Sequence, residues 1–451
     1  MVRRQRPCEA AGRRPAMRIA LLTAGSRGDV QPYLALARAL ARSGHACTLV
    51  TQRVFAPLAA EYGVTFHAAG GDDWPTPESV RERVRNGELA ELAGKRNSFS
   101  QLSLVAALFA RHMTRFTADA LPACEGVDAV AFAPMAAVAG HSLAEKLRVP
   151  FVPALLAPAF STREFPSVLF PPRASFIPGY NRLSHWAAER LLWRLNRESA
   201  IRLRRDVLGL PPYPRSAFEL MHRAEPPVLV GVSPNVVPRP RDWAPYLHLT
   251  GYWFLDEPSG WNPPARIARF LASGSPPVCV GFGSMVSEDP RGDVRIVAEA
   301  LDRVGRRGIL LSGWAGLDDH AADLPSSILP LDSIPHSWLF PRVAAVVHHG
   351  GAGTTAAALR AGVPQVVVPF ITDQPFWGDR VRRLGVGPAP IPRARLTAER
   401  LARAIACALE RGAMTARARD LGHTIRAEDG ARLAVEILER ELGRGRRRAP
   451  G

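Results

Sequence analysis

One local pattern occurs in both halves of the chain and constrains the fold more than any other feature. Near the start, the apolar residues 17–23 lead through the glycine-rich turn 24–29 into an amphipathic helical pattern. In the second half, the apolar residues 344–348 lead through a glycine-rich turn into the helical pattern 353–361. A buried run that turns on glycine into a helix is typical of a βα unit, and repeated βα units favour parallel sheets covered by helices. The sequence therefore predicts an α/β protein with two similar halves.

Further apolar runs predict the remaining strands of each half. In the first half they lie at residues 46–51, 63–67, 128–133, 150–156 and 228–232, and in the second at 278–282, 309–312 and 365–369. A connector rich in Pro and Trp marks the best boundary between the halves. The predicted division is a disordered Arg-rich extension (1–16), an N-terminal Rossmann-like domain (17–233), a linker (234–264), a C-terminal Rossmann-like domain (265–430), a helix packing back on the N-terminal domain (431–443) and a basic tail (444–451).

The charge of the chain points away from a nucleic-acid binder. The 451 residues carry a net charge of +17, but only Lys95 and Lys146 among the 58 basic residues are lysine. Residues 1–16 contribute five Arg and one Glu, and residues 443–451 contribute four Arg, so the remaining chain carries 17 − 4 − 4 = +9. Charge runs at chain ends are usually solvated. Salt-dependent retention on DNA that survives removal of the arginine-rich ends would reverse this interpretation.

Composition also bears on location. No run of eighteen apolar residues and no signal peptide is present, so we expect a cytoplasmic protein whose five scattered cysteines are reduced thiols. The amphipathic stretch 183–208 predicts one or two helices that pack apolar residues such as Trp186 into the core and leave arginines in solvent. A basic amphipathic helix can also lie on an anionic membrane, so weak peripheral membrane contact is the alternative.

The turn that follows His348 predicts a phosphate site. Helix N-termini present unpaired N–H groups and a partial positive charge, and glycines let an anion approach the backbone. His349, Thr354 and Thr355 supply side-chain hydrogen-bond donors. Gly351 and Gly353 leave the backbone N–H groups open to an anion. Packing alone is the alternative explanation for a glycine-rich turn.

Asp373 and Gln374 follow the next predicted strand at the same edge of the sheet. A carboxylate accepts hydrogen bonds from neighbouring hydroxyl groups, and a carboxamide both donates and accepts them. The pair suits a sugar, although Asp373 alone could serve only as a turn or cap residue.

Together these motifs resemble the nucleotide-sugar signature of family 1 glycosyltransferases, which have the GT-B fold. Residues 25–32, Gly-Ser-Arg-Gly-Asp-Val-Gln-Pro, are similar to the start of the sterol-glucosyltransferase and glycopeptide-antibiotic branches, and residues 338–342 and 375–378 extend the likeness to the sterol type. The resemblance covers about residues 17–440 and implies two Rossmann-like domains facing across a cleft. It also implies a monomer or homodimer that needs no cofactor besides its UDP- or dTDP-sugar co-substrate.

The resemblance assigns roles to particular residues of the second half. The donor diphosphate is expected to bind Ser284 of the Gly283–Ser284 loop and His349, Gly351, Gly353, Thr354 and Thr355. The donor sugar is expected to bind Asp373 and Gln374. The segment 331–336 is expected to hold the nucleobase. Leu331 would lie beside the base, and the backbone of Ile334 would pair with it. Plant relatives have a Trp and a Glu where this chain has Leu331 and Ala357. Uridine and thymidine therefore both stay open.

Asp29 is the candidate catalytic base. His349 is the second candidate catalytic residue and would stabilise the leaving diphosphate. Asp29 follows the first strand, where the acceptor hydroxyl must lie, and many relatives have a His at this position. The alternative makes it the N-cap of a helix starting at Val30. Both roles are compatible.

The expected reaction is an inverting transfer of a hexose to a hydroxyl of a lipophilic acceptor such as a sterol, polyketide or macrolide, because the acceptor half is rich in apolar residues. No metal is expected, since the pairs Asp72–Asp73 and Asp318–Asp319 lack the spacing of metal-bridged transferases and no His/Cys cluster is present. A non-catalytic accessory protein and a nucleotide-sugar 2-epimerase are the alternatives.

Overall fold

The computed structural model describes residues 16–71, 74, 112–258, 260–283, 285, 289–313, 324–410 and 412–448. Several predictions fall outside these residues: residues 1–15 of the arginine-rich extension, both Asp pairs, Ser284 and residues 449–451. The described chain forms two parallel sheets, as the sequence predicts.

The N-terminal sheet has seven parallel strands in the order β3-β2-β1-β4-β5-β6-β7. The strands are β1 (Arg18–Leu22), β2 (Ala46–Thr51), β3 (Thr65–Ala68), β4 (Ala129–Phe132), β5 (Phe151–Leu155), β6 (Val228–Val230) and β7 (Leu247–Leu249). The order reverses between β1 and β4, which makes the carboxyl end of β1 the topological switch point where ligands of such sheets bind. Asp29 lies beyond that end, in the first turn of α1.

Strand β7 corrects the predicted division of the chain. It lies within residues 234–264, which the sequence predicted to be a linker, and it pairs with β6 as the edge strand of the N-terminal sheet. The prediction missed it because its three residues are too few to show a periodic pattern between the surrounding prolines.

The C-terminal sheet has five parallel strands in the order β10-β9-β8-β11-β12. The strands are β8 (Val278–Gly281), β9 (Gly308–Leu311), β10 (Ile328–Leu331), β11 (Ala345–His348) and β12 (Gln365–Val367). Strand β10 was not predicted, because Pro330 interrupts its short apolar run. The switch point lies between β8 and β11, so the turns at Gly283 and His349 leave the sheet side by side.

Helices cover both sheets. They are α1 (Arg27–Arg42), α2 (Ala56–Glu61), α3 (Ala137–Leu147), α4 (Tyr180–Arg202), α5 (Ala217–Ala224), α6 (Ala265–Ala272), α7 (Pro290–Arg303), α8 (His336–Leu339), α9 (Ala352–Ala361), α10 (Gln374–Leu384), α11 (Ala398–Glu410), α12 (Gly412–Arg426) and α13 (Gly430–Arg448), with a further helical segment at residues 112–124. In the described part of the chain, no helix has the length and apolar character that crossing a bilayer requires.

Two helices differ from their prediction. Trp186 of α4 was expected in the core, but its side chain is 56% exposed. Helix α13 continues to Arg448, through the first five residues of the predicted basic tail. It packs against α1, and Ala434, Val435 and Leu438 join the core of the N-terminal domain.

The two domains share a continuous apolar core on one side of the cleft. Val230 of the first sheet and Trp377 of α10 belong to the same cluster. Phe165 and Phe376 meet edge to face with ring centroids 5.8 Å apart, and Arg360 of α9 pairs with Asp256. Helix α1 also contacts α9, so the carboxyl ends of both sheets face one cleft.

Candidate active site

Asp29 is fixed by the start of α1. The helix begins at Arg27, so Ser26 is the N-cap and Asp29 is the third helical residue rather than the predicted N-cap. Both the backbone N–H and the hydroxyl of Ser26 donate to Asp29 Oδ2, each at 2.8 Å. Among the described residues no hydrogen bond reaches Oδ1, which leaves that oxygen for a ligand. The Ser-x-x-Asp spacing is that of a capping box, a signal that could have identified Ser26 from sequence.

The turn before α1 needs glycine. Gly25 has φ +135°, and a Cβ at this position would lie 2.5 Å from Asp29 Oδ2. Side chains around the turn hold it in place: Gln52 Nε2 donates to Gly25 O at 3.0 Å, and Thr23 Oγ1 donates to Asp29 O at 2.7 Å.

The electrostatics of Asp29 link the two domains. Burial raises the pKa of its carboxyl group, the two hydrogen bonds from Ser26 oppose that rise, and the negative charge of Asp373 adds to it. The two carboxylates therefore lie close enough for their charges to interact, although they belong to different domains.

The second turn begins with a histidine that serves structure. His348 Nε2–H donates to Gln365 Oε1 at 2.8 Å, and His348 Nδ1 accepts from the Gly350 N–H at 3.0 Å. Burial lowers the pKa of His348 to about 4. The ring is therefore neutral and shapes the turn.

His349 points from the same turn into a cradle of two glycines. A Cβ at Gly283 would lie 2.7 Å from its Cε1, and one at Gly351 would lie 2.4 Å from its Nε2. Burial lowers the pKa of His349 to about 3, helped by His348 and His336. Within the described residues, its buried Nδ1 has no hydrogen-bond partner. A neutral imidazole with an unused buried nitrogen is suited to a ligand.

The N-terminus of α9 is open. Its N-cap is Gly351, whose lack of a side chain leaves the first-turn N–H groups uncapped. A Cβ at Gly353 would meet nothing within 4 Å, and the buried Thr355 Oγ1 has no partner among the described residues. Thr354 is partly buried in the same turn. The structure thus gathers His349, Gly351, Gly353 and both threonines around one uncapped helix N-terminus, a position that attracts anions in general.

Asp373 is the N-cap position of α10 and reaches the cleft from the neighbouring strand. Trp377 Nε1 donates to its Oδ2 at 2.8 Å, and Thr372 Oγ1 donates to its Oδ1 at 3.1 Å. Thr372 itself has φ +53°, a conformation that costs energy in a non-glycine residue and is frequent at functional sites. Burial raises the pKa of Asp373.

Gln374 differs from its prediction as a two-way sugar ligand. Its Oε1 accepts from the backbone N–H groups of Phe370 and Ile371, at 2.7 and 3.1 Å. Its Nε2 faces Met285 Sδ at 3.2 Å, and the side chain is only 3% exposed. The carboxamide oxygen therefore shapes the loop that carries Asp373, and the nitrogen, which donates one N–H to Met285 Sδ, keeps its second N–H for a ligand.

The predicted base-binding residues direct their side chains into the core. Leu331 and Ile334 are 4% and 9% exposed and pack in a cluster with Leu339, so only backbone groups remain for a nucleobase there. Nearby, the rings of His336 and Phe340 stack with centroids 4.3 Å apart.

His336 ends the segment 331–336 that was predicted to hold the base, whereas no sequence signal indicated Arg27. Burial lowers the pKa of His336 to about 4, and the charge of Arg27 on α1 contributes. The segment 331–336 therefore lies near the start of α1 in the N-terminal domain. Among the described residues, no three His, Cys, Asp or Glu side chains converge in a way that could hold a metal ion.

The fold and the facing turns define a GT-B glycosyltransferase, and comparisons with known proteins agree. Residues 19–166 match the glycosyltransferase family 28 N-terminal domain, and residues 302–439 match the erythromycin biosynthesis protein CIII-like C-terminal domain. O-mycaminosyltylonolide 6-deoxyallosyltransferase of Streptomyces fradiae is 40% identical over 433 residues, which are 94% of this chain and 97% of that enzyme. The chain belongs to the same glycosyltransferase family.

A sterol 3-beta-glucosyltransferase of Emericella nidulans is 36% identical over 436 residues, 94% of this chain. The chain spans about 30% of the length of that relative. Among solved structures, the calicheamicin glycosyltransferase CalG4 covers 97% of this chain and all of its own, with a TM-score of 0.67 and 22% identity. The glycosyltransferase VinC, solved with dTDP, covers 95% of this chain and all of its own, with a TM-score of 0.63 and 19% identity. These two structures establish the shared fold.

Proposed function

We propose that this protein is an inverting, metal-independent glycosyltransferase that moves a hexose from a UDP- or dTDP-sugar to a hydroxyl group of a lipophilic acceptor. The observation that carries the proposal is the arrangement around one cleft: a half-free carboxylate at Asp29 on one domain, and an open helix N-terminus with Asp373 on the other. The reaction requires one group to take a proton and another to receive a developing diphosphate charge.

In the proposed reaction the acceptor oxygen attacks the anomeric carbon while Asp29 Oδ1 takes its proton. The bond between that carbon and the diphosphate oxygen breaks, and the nucleoside diphosphate leaves with the electron pair. Displacement from the opposite face inverts the anomeric centre. General base catalysis of this kind contributes about 10²–10⁴-fold to the rate.

The leaving group would be stabilised by the C-terminal domain. N–H groups of the first turn of α9 are fixed dipoles that need no rearrangement as charge develops. His349 and the unpartnered Thr355 hydroxyl add donors. Asp373 and the nitrogen of Gln374 would orient the sugar hydroxyls, and backbone near Ile334 would pair with the base.

The acceptor and donor classes rest on the relatives. One is named as a 6-deoxyallosyltransferase of O-mycaminosyltylonolide and another as a sterol 3-beta-glucosyltransferase, which supports a lipophilic alcohol as acceptor here. The dTDP bound to VinC supports a nucleoside diphosphate in the cleft, with uridine and thymidine both open. We place the reaction in the cytoplasm, carried out by a monomer or homodimer.

The test is mass spectrometry of reactions that pair UDP- and dTDP-hexoses with mixed lipophilic alcohols, with donor hydrolysis recorded in parallel. We expect a product equal to the acceptor plus one hexosyl group, and proton NMR should show a β-linkage from an α-linked donor. Donor consumption without any acceptor would identify an epimerase instead. Donor binding without turnover across the panel would identify an accessory protein.

A further inference from the structure

Exposed apolar side chains concentrate at one place in the molecule. Six large apolar side chains are exposed among the described residues, and four of them lie within eleven residues of one another: Phe176 (82%), Ile177 (47%), Leu183 (60%) and Trp186 (56%). The other two, Val54 and Leu433, are isolated. Clustered exposure of this kind marks an interaction site, whereas scattered apolar residues are ordinary.

The cluster continues into a stripe of positive charge. Leu183, Trp186, Arg190, Arg194 and Arg197 are all exposed and recur at helical spacing on one face of α4. Arg190 lies over the Trp186 ring, 5.0 Å from its centroid. Residues 165–188 contain two arginines and no acidic residue. An apolar end followed by arginines matches the interface between lipid tails and anionic headgroups.

The cluster is held firmly by the loop before it. The N–H of Ser167 donates to Ser184 Oγ at 2.8 Å, and Asn181 Nδ2 donates to Arg163 O at 2.8 Å. His185 Nε2 donates to Phe165 O at 3.1 Å. The apolar side chains are therefore presented by an ordered scaffold, so their ordering cost is met during folding.

The same loop connects the cluster to the cleft. It leaves the carboxyl end of β5, and Phe165 packs on Phe376, two residues beyond Gln374. The 3₁₀ turn Pro172–Ala174, just before Phe176, contacts α10. The exposed cluster thus flanks the elements that border the donor site.

We propose that Phe176, Ile177, Leu183 and Trp186, with the arginine stripe of α4, dock the protein on an anionic lipid bilayer. The lipophilic acceptor then enters the cleft from the membrane. This entry route rests on the proposed transferase activity, whereas the docking does not. The positive charge of the arginine stripe favours an anionic lipid surface. A second copy of this chain on the same surface would bring like charges together.

The experiment is flotation of the full chain with phosphatidylcholine vesicles that contain or lack phosphatidylglycerol. We expect binding only to the anionic vesicles and its reversal by salt. Arg190→Gln/Arg194→Gln/Arg197→Gln should weaken binding about 100-fold, because each arginine near such a surface contributes about fivefold (~1 kcal/mol). Phe176→Ser/Trp186→Ser should weaken it at least about tenfold through lost apolar burial.

Matched variants elsewhere provide the controls. Val54→Ser/Leu433→Ser removes the isolated exposed apolar residues, and Arg266→Gln/Arg295→Gln/Arg306→Gln removes three exposed arginines of the C-terminal domain. Both should bind vesicles like the wild type. Equal losses in the control and cluster variants would overturn the proposal.

Activity assays separate this proposal from the proposed function. With a water-soluble acceptor the cluster variants should keep wild-type turnover, and with an acceptor delivered in anionic vesicles they should lose about tenfold or more. Donor turnover without vesicle binding would overturn docking and leave the transferase intact. Vesicle binding without donor turnover would overturn the transferase and leave docking intact. Lipid-free dimerisation that the Phe176→Ser/Trp186→Ser variant abolishes would assign the surface to a second copy and overturn the proposal.

Discussion

The turns that follow β1 and β11 have the same architecture and opposite chemistry. Each leaves an interior strand of a parallel sheet at the topological switch point, turns on glycine and starts a helix that points at the cleft. In the first, Asp29 and Ser26 close the helix N-terminus with the protein's own carboxylate. In the second, Gly351 and Gly353 leave the helix N-terminus without a capping side chain.

The difference shows what decides the ligand of a βα turn. A helix N-terminus attracts an anion, and that anion can belong to the protein or come from outside. In the proposed reaction the first turn carries its own anion and presents it as a base, whereas the second leaves room for a diphosphate. The proposed chemistry needs one turn of each kind, facing each other.

The largest expected effect comes from removing the internal anion of the first turn. Asp29→Asn should lower kcat by about 10²–10⁴-fold, because the acceptor hydroxyl loses its general base. The dissociation constant of the nucleoside diphosphate, measured by calorimetry, should stay the same. Asp302→Asn, an exposed carboxylate on α7, is the control. Unchanged turnover in Asp29→Asn would reduce Asp29 to a capping residue.

The same variant should alter stability in a way that depends on pH. Since burial raises the folded-state pKa of Asp29, protonation favours folding below the ordinary carboxyl pKa, and this contribution is lost as pH rises through the raised value. Asp29→Asn should therefore melt no lower than the wild type at neutral pH, and any gain should disappear in acid. A lower melting temperature confined to neutral pH would contradict this assignment.

Giving the second turn an internal anion should abolish its binding of an external one. Gly353→Asp fits the open space above α9 and should weaken nucleoside diphosphate binding by about 100-fold or more, because a like charge about 4 Å away costs about 4 kcal/mol near a protein surface. An acidic residue in the first turn stabilises a helix, so the melting temperature should not fall.

The matched variant Gly353→Ala adds a side chain without charge. It should bind within about threefold of the wild type, because nothing within 4 Å obstructs the new methyl group. Similar losses in the alanine and aspartate variants would show that bulk, rather than charge, blocks the turn. Wild-type affinity in Gly353→Asp would remove the diphosphate from this helix end.

A smaller effect should follow from loosening the first turn. Ser26→Ala removes one of the two donors to Asp29 Oδ2, so the pKa of Asp29 rises further and the base ionises at higher pH. The acid limb of the kcat/KM profile should move to higher pH. On that limb we expect roughly tenfold lower activity, because a hydrogen bond to a charged group contributes about 1.5–3 kcal/mol.

Ser26→Thr keeps the hydroxyl group and should restore the wild-type profile. A uniform loss of activity at every pH would indicate a structural role for Ser26, and an acid limb that does not move would separate Asp29 from the titrating base.

The smallest expected effect concerns metal. Removal of divalent ions with EDTA should change turnover by less than about twofold, because the fixed dipoles of α9 take the place of a cation at the diphosphate. A large loss that added Mg²⁺ restores would instead assign part of the leaving-group stabilisation to a bound metal.

Much of this arrangement was predictable from sequence. Hydrophobic runs and glycine turns predicted nearly all the strands and both turns, because each depends on a few neighbouring residues. The short strands β7 and β10 were missed, since three or four residues among prolines carry little periodicity. The role of Gln374 was misassigned because its oxygen is taken by the Phe370 and Ile371 N–H groups, and such geometry is not encoded in residue type.

By itself the sequence determined the α/β class, the two βα turns and the residues that they carry. These are local properties, in which side-chain volume, glycine and helix capping act over a few positions. Only the tertiary structure decided that Asp29 lies close enough to Asp373 for their charges to interact, that Leu331 turns inward and that Trp186 is exposed to solvent. Those outcomes depend on which surfaces distant segments cover, and periodicity specifies that a face is apolar without specifying what packs against it.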